Sequence, residues 1–96
     1  MFNEKHRVVT ITEEGFDPPG IPATMGHPVL VEFRNDSQHP HQIEFRLPGG
    51  PVRLLEPLAP GRRAFVQFIS EDLGIFSFGC PEHEQLKGTL VVNAVM

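Results

Sequence analysis

The sequence predicts an all-β protein, a two-sheet sandwich or barrel of about six to eight strands. Three observations carry that expectation. Ten prolines and nine glycines are spread along the 96 residues, and both residue types interrupt helices and mark turns. Between them lie short runs rich in β-branched residues and phenylalanine, which suit a pleated, half-buried surface. No stretch shows the apolar period of an amphipathic helix.

The elements follow in order. Arg7 to Glu13 is β-branched through its middle and reads as the first strand. Asp17 to Pro28 carries four prolines and two glycines and reads as a long structured crossover between sheets. Val29 to Asn35 alternates Val, Val, Phe against Leu, Glu, Arg, the pattern of a strand with one buried face. Asn35 to Pro40 is a turn, and His41 to Leu47 a strand. After a turn at Pro48 to Pro51, Pro51 to Leu55 is an irregular edge strand, because Pro57 and Pro60 prevent a regular central one. Pro60 to Arg62 is a turn. Arg63 to Ile69, Gly74 to Cys80 and Gly88 to Val95 complete the set. Ser70 to Leu73 is the best place for a short helical turn, with Ser70 as its cap. Repeats, low-complexity tracts and linkers are absent, so residues 1–96 are expected to form a single domain.

Composition narrows the functional classes. Hydrophobic residues make up 40% and charged residues 21%, the profile of a soluble globular protein. A net charge of −4 argues against a nucleic-acid-binding surface. No uninterrupted apolar run exceeds three residues, so neither a transmembrane helix nor the apolar middle of a secretory signal is expected. One cysteine cannot form an intrachain disulfide and says nothing about redox compartment.

Alternation decides which chemical groups meet. In His41-Gln42-Ile43-Glu44-Phe45-Arg46, period-two geometry puts His41 on one face with Ile43 and Phe45. In Ile75-Phe76-Ser77-Phe78-Gly79-Cys80, the residues Phe76, Phe78 and Cys80 share a face. Cys80 therefore ends the apolar face of one strand, and His41 begins that of another. Cys80-Pro81-Glu82-His83 adds a second imidazole at a spacing that lets both side chains reach one ion. One thiolate and two imidazoles are the ligand set of a trigonal copper site, and they also suit zinc. Taken singly, each residue has a plainer role. A buried thiol packs as a small hydrophobe, a histidine at a strand start is a polar cap, and His83 lies between two glutamates on the surface. Taken together, they point to a metal.

Other motifs are weak. His83-Glu84 begins like a zinc-protease motif, but Lys87 stands where the second histidine belongs. His39 precedes His41 in His-Pro-His, yet alternation turns only His41 inward. His6 and His27 have no partners nearby in sequence. Ser37, Ser70 and Ser77 form no triad pattern, no phosphate-binding loop is present, and no enzymatic activity is expected. Glu13, Glu14 and Asp17 read as a solvated charge cluster.

Nearly the whole chain resembles the cupredoxins, the small blue copper proteins. Gly15-Phe16-Asp17-Pro18, Gly26 and Val29 to Asn35 are similar to the family's opening strands. Pro40-His41-Gln42-Ile43-Glu44-Phe45 is similar to the segment carrying its first histidine ligand. Leu58-Ala59-Pro60-Gly61, Gly74 to His83 and Lys87-Gly88-Thr89-Leu90-Val91-Val92 are similar to its ligand loop and closing strand. The short Cys-x-x-His loop is most like that of amicyanin- and plastocyanin-type members. The resemblance implies a Greek-key sandwich and one copper ion held by His41, Cys80 and His83, with His83 as the electron port. Gln42 stands where the family commonly has asparagine, which alters the bracing of the ligand loop.

The main departure is axial. Short-loop members place a methionine three residues after the second histidine, and here that residue is Leu86, which cannot coordinate. The resemblance then implies a nearly three-coordinate site with a raised reduction potential. Gln85 is an alternative axial donor, and Glu84 a poorer one. The function implied is a one-electron carrier working with a redox partner protein. The alternatives are a copper chaperone or buffer serving a copper acceptor, a zinc site, and an interaction module without metal. The protein is expected to be a monomer. Glu56, Glu71, Asp72, Glu82 and Glu84 are candidates for an acidic docking surface. Localisation stays open: the resemblance implies an extracytoplasmic site, whereas the lack of an export signal before the strand-like sequence at Arg7 leaves the cytoplasm.

Overall fold

The computed structural model describes residues 5–94, with side chains from Arg7 onward. Nine strands run in chain order: β1 (Lys5–Ile11), β2 (Phe16–Asp17), β3 (Gly20–Thr24), β4 (Pro28–Asn35), β5 (Glu44–Leu47), β6 (Gly50–Arg53), β7 (Arg63–Ile69), β8 (Gly74–Cys80) and β9 (His83–Asn93). They form two mixed sheets, ordered β2-β1-β4-β7 and β3-β9-β8-β5-β6. The architecture is the expected all-β sandwich, and the described residues contain no helix.

Strand register sets the core. β1 runs parallel to β4 with Val9 opposite Phe33 and Ile11 opposite Asn35. The inner face of the first sheet therefore carries Val9, Ile11, Val29, Val31, Phe33, Val66 and Phe68, all buried. The second sheet answers with Ile21, Phe45, Phe78, Leu90 and Val92. Five phenylalanines interlock across the gap. Phe78 lies 4.9 Å from both Phe16 and Phe45, Phe45 lies 4.9 Å from Phe68, and Phe33 sits 6.0 Å from Phe45 and Phe78. Rings at such separations gain attraction beyond their buried area.

Several boundaries differ from expectation. The count of nine exceeds six to eight because two unexpected strands appear: the two-residue β2, antiparallel to β1, and β3 within the proline-rich crossover, paired in parallel with β9. Pro22 is tolerated there because β3 is an edge strand, where a missing N–H costs no interior ladder bond. The strand expected from His41 begins at Glu44; His41 instead forms an isolated bridge with Leu58. The edge strand expected at Pro51 to Leu55 is β6. β9 starts at His83, earlier than Gly88, and the expected end at Val95 lies outside the described residues. Ser70 caps no helix: its hydroxyl donates to Asp72 O (3.1 Å) and accepts from Asp72 N–H (3.4 Å), closing a local turn.

One packing contact ties β8 to β9. Phe78 pairs directly with Gly88, and its ring lies over the glycine so closely that a Cβ there would fall 2.1 Å from Phe78 Cζ. Gly88→Ala must therefore displace the ring at the centre of the aromatic cluster. The expected cost is about 1–3 kcal/mol, measured as a lower midpoint in thermal or urea unfolding. An unchanged midpoint would show that the ring has room to move.

Candidate metal centre

Cys80 and His83 come together through one tight hairpin. They pair directly across the Pro81-Glu82 turn, but the preceding β8 residue, Gly79, pairs with Lys87. Glu84, Gln85 and Leu86 therefore bulge opposite no residue of β8. Gly79 permits the bulge, since a Cβ there would lie 2.5 Å from the Leu86 carbonyl oxygen. Bulges of this kind re-aim side chains near functional sites. Here the bulge leaves His83 half-buried and Leu86 buried at 4% exposure.

His41 arrives from the opposite side. Its N–H donates to Leu58 O (3.0 Å) and its carbonyl accepts from Leu58 N–H (2.8 Å). Although it precedes the strand, the expected faces hold: His41, Ile43 and Phe45 are buried, and Gln42 and Glu44 less so. The Gln42 side chain also turns toward the 54–58 segment, accepting from Leu54 N–H (3.0 Å) and donating to Leu54 O (3.1 Å). Its amide thus braces the His41 arm of the site.

The three residues named from the sequence converge. Donor atoms of His41, Cys80 and His83 all lie within 4.8 Å of one another, and this is the only such group of histidine, cysteine or acidic residues among the described residues. The two imidazoles meet edge-on, 4.9 Å apart. Bonds of about 2.0 Å to nitrogen and 2.3 Å to sulfur would hold such donors roughly 3.5–3.8 Å apart, so an ion requires only a small contraction. Chemistry at His41 supports the fit. Its Nε2 lies 2.9 Å from Ser37 Oγ, while its Nδ1 is buried without a hydrogen-bond partner. A buried polar atom left unpaired is costly, and a cation at the cluster would relieve that cost.

A cavity of about 230 Å³ adjoins the two imidazoles, lined by Thr12, Glu13, His39, His41, His83, Gln85 and Leu86. Gln85 is exposed on its rim, whereas Leu86 forms an apolar wall. On the cysteine side a smaller cavity of about 90 Å³ is bordered by Cys80, Glu84 and Leu86. His39 is exposed, as is His27, and the His6 side chain lies outside the described residues. The acidic candidates do not form one surface. Glu82 and Glu84 sit at the ligand hairpin, while Glu71 and Asp72 precede Gly74 at the opposite end of β8.

Three residues escaped the sequence reading. Asn35 and Ser37 are buried at 1% and 4% exposure and bond to the His41 segment, although the run read only as a turn. Glu13, expected to be solvated, accepts from Gln38 N–H at 2.7 Å and borders the cavity. The Asn-x-Ser-x-x-x-His spacing was the only available signal, and it gains meaning only once the loop is seen to fold back on itself.

A profile of the Cupredoxin-like domain matches residues 2–92. The chain belongs to the cupredoxin-like family. No curated protein matches the sequence, but solved structures share the fold. Dithionite-reduced auracyanin from Roseiflexus castenholzii superimposes with a TM-score of 0.81 at 18% identity, covering 95% of this chain and 99% of that one. An oxidised methionine-to-leucine mutant of amicyanin gives 0.71 at 19% identity, over 91% and 81%. A purple cupredoxin from Nitrosopumilus maritimus gives 0.63 at 21%, over 91% and 99%. No helix among the described residues is long and apolar enough to cross a membrane.

Electrostatics of this cupredoxin keep His41 ready to bind a cation. Desolvation by burial, then repulsion from His83 and His39, lowers its pKa below the usual 6.5, and Glu13 opposes only part of that shift. The folded protein thus disfavours a proton that the unfolded chain accepts. Stability from this source is complete above the unfolded value and is lost as pH falls through it toward the folded one. The metal-free protein is expected to lose thermal stability as pH falls through the unfolded value of 6.5, and His41→Gln to flatten that slope. Parallel melting-temperature profiles for the two proteins would remove His41 as the source.

Proposed function

We propose that this chain is a type 1 copper protein that carries single electrons through His41, Cys80 and His83 without a methionine ligand. The observation that carries the proposal is the gathering of buried His41, half-buried His83 and the sole, buried thiol within 4.8 Å, a donor set that suits a trigonal copper site. The family match adds support. So do neighbours described as reduced auracyanin, oxidised amicyanin and, for another amicyanin mutant, a reduced Cu(I) form. Copper, when bound, supplies the one-electron couple. The chain holds the donors in place through the exchange: the Leu58 bridge fixes His41, and the β8–β9 hairpin fixes Cys80 and His83. Half-buried His83 is the path for electrons to a redox partner, and the protein acts as a monomer of one cupredoxin-like domain rather than as an enzyme.

Leu86 is a buried apolar wall that offers no donor, so an oxidised copper ion held by the three residues would lack a further ligand from this position. Gln85 is the nearest alternative, but its exposure favours solvent contact over the metal. The same feature favours a second reading, a copper chaperone or buffer that holds Cu(I). Zinc fits less well, because a structural zinc site calls for a fourth donor where Leu86 presents an apolar wall.

Addition of Cu(II) is expected to give an intense visible band from thiolate-to-copper charge transfer, which Cys80→Ser abolishes. Stoichiometric Cu(II) uptake without colour would sink the carrier proposal. Repeated reduction and reoxidation without metal loss separates a carrier from a chaperone, which should instead release Cu(I) to a competing acceptor. Leu86→Met is expected to lower the potential by roughly 60 mV or more, a tenfold or larger change in the ratio of Cu(II) to Cu(I) binding. An unchanged potential in voltammetry would place another group at the axial position.

A further inference from the structure

Behind His41 lies a buried chain of polar groups that neither the family match nor the ligand cluster explains. His41 Nε2 is 2.9 Å from Ser37 Oγ. Ser37 Oγ lies 2.6 Å from Asn35 Oδ1 and 3.0 Å from His39 O, and it also accepts a long bond from His39 N–H at 3.3 Å. Asn35 Oδ1 further accepts from Ser37 N–H at 2.9 Å. The other end of that amide donates from Nδ2 to His39 O at 2.8 Å and to Leu58 O at 2.9 Å. Asn35, Ser37 and His41 are exposed by only 1%, 4% and 3%.

Donor and acceptor chemistry gives this chain a direction. The Asn35 amide has one orientation open to it, since turning it over would set its oxygen against two carbonyl oxygens and its NH₂ against the Ser37 N–H. With Oδ1 fixed as an acceptor, the Ser37 hydroxyl proton points to it, and a Ser37 lone pair remains for His41. His41 Nε2 then carries the ring proton and donates it. The opposite tautomer would force Ser37 to turn its proton away from Asn35. It would also bury an Nδ1–H with no acceptor, because Nδ1 has no partner.

We propose that Asn35 and Ser37 are positioning residues that fix His41 as its Nε2–H tautomer and leave the Nδ1 lone pair directed to the metal cluster. Which ring nitrogen carries the proton is set by the bond its opposite nitrogen makes, and such partners of a ligand tune metal affinity. The chain acts before any ion arrives, so binding requires no tautomer exchange in a buried site. The inference rests on His41 being a metal ligand, but its first observable does not.

The test begins with the metal-free protein labelled with ¹⁵N at histidine. Long-range ¹H–¹⁵N correlation spectra at neutral pH are expected to show His41 as the Nε2–H form. In Ser37→Ala the Nδ1–H form should gain population, and Ser37→Thr should restore the wild-type pattern. Cu(I) affinity, measured by chelator competition, should fall about 10–100-fold in Ser37→Ala and recover in Ser37→Thr. An Nδ1–H form in the wild-type protein overturns the proposal. So does a Ser37→Ala protein that keeps both its wild-type tautomer and its Cu(I) affinity. A wild-type protein that shows the Nε2–H form yet binds no copper would refute the metal reading and leave the relay standing as a structural one.

Discussion

Full satisfaction of one buried amide governs the metal end of this fold. Asn35 closes β4 in the first sheet, yet its side chain spends all four hydrogen-bonding positions on the loop that leads to His41 and on Leu58. Its backbone is engaged as well, donating to Arg62 O and accepting from Gly61 N–H. Leaving any one of these groups unpaired in the interior would cost about 1–3 kcal/mol. The loop therefore folds back tightly on itself, and His41 is carried across from the first sheet to meet the second. Leu58 O receives both the Asn35 amide and the His41 N–H. A single carbonyl thus links the backbone and side-chain restraints on the histidine.

The opposite arm depends on the absence of side chains. Gly88 lets the outer end of the Phe78 ring come close to β9, and Gly79 lets the Leu86 carbonyl come close to β8. The first contact locks the register of the long hairpin to the aromatic core. The second makes room for the bulge that turns Glu84 and Gln85 outward and buries Leu86. Cys80 is held one residue beyond Gly79 and two beyond Phe78, so the hydrophobic core itself fixes where the thiol sits. The two arms are thus built by different physics, polar satisfaction behind His41 and packing behind Cys80. They meet at a cluster that requires both.

Much of this was legible in the sequence because period-two alternation survives local irregularity. His41 is not within a strand, yet it falls on the same face as Ile43 and Phe45, since a bridge to Leu58 continues the extended backbone. Cys80 likewise follows Phe76 and Phe78. Contacts whose meaning depends on a loop's path were not legible. Ser37 and Glu13 are ordinary turn and surface residues by composition, and only the folded loop brings Ser37 to His41 and Glu13 to Gln38. The β3 strand was hidden for another reason. Pro22 within it, and Pro18 and Pro19 just before it, mimic a coil, and Pro22 is permitted in the strand only because the sheet ends there.

Leu86 is where the two arms give different weights to function. The bulge presents it as an apolar wall shared by the cavity beside the histidines and the smaller one beside Cys80. A rigid three-donor set with an apolar wall would favour Cu(I) over Cu(II) while resisting rearrangement between them. The first property serves a copper buffer as well as a high-potential carrier, but the second serves only electron exchange. A delivery protein must open its site to hand over the ion, and donors braced through Leu58, Ser37 and the β8–β9 hairpin oppose that opening. The investment in fixing His41 from behind therefore weighs toward a site that keeps its metal.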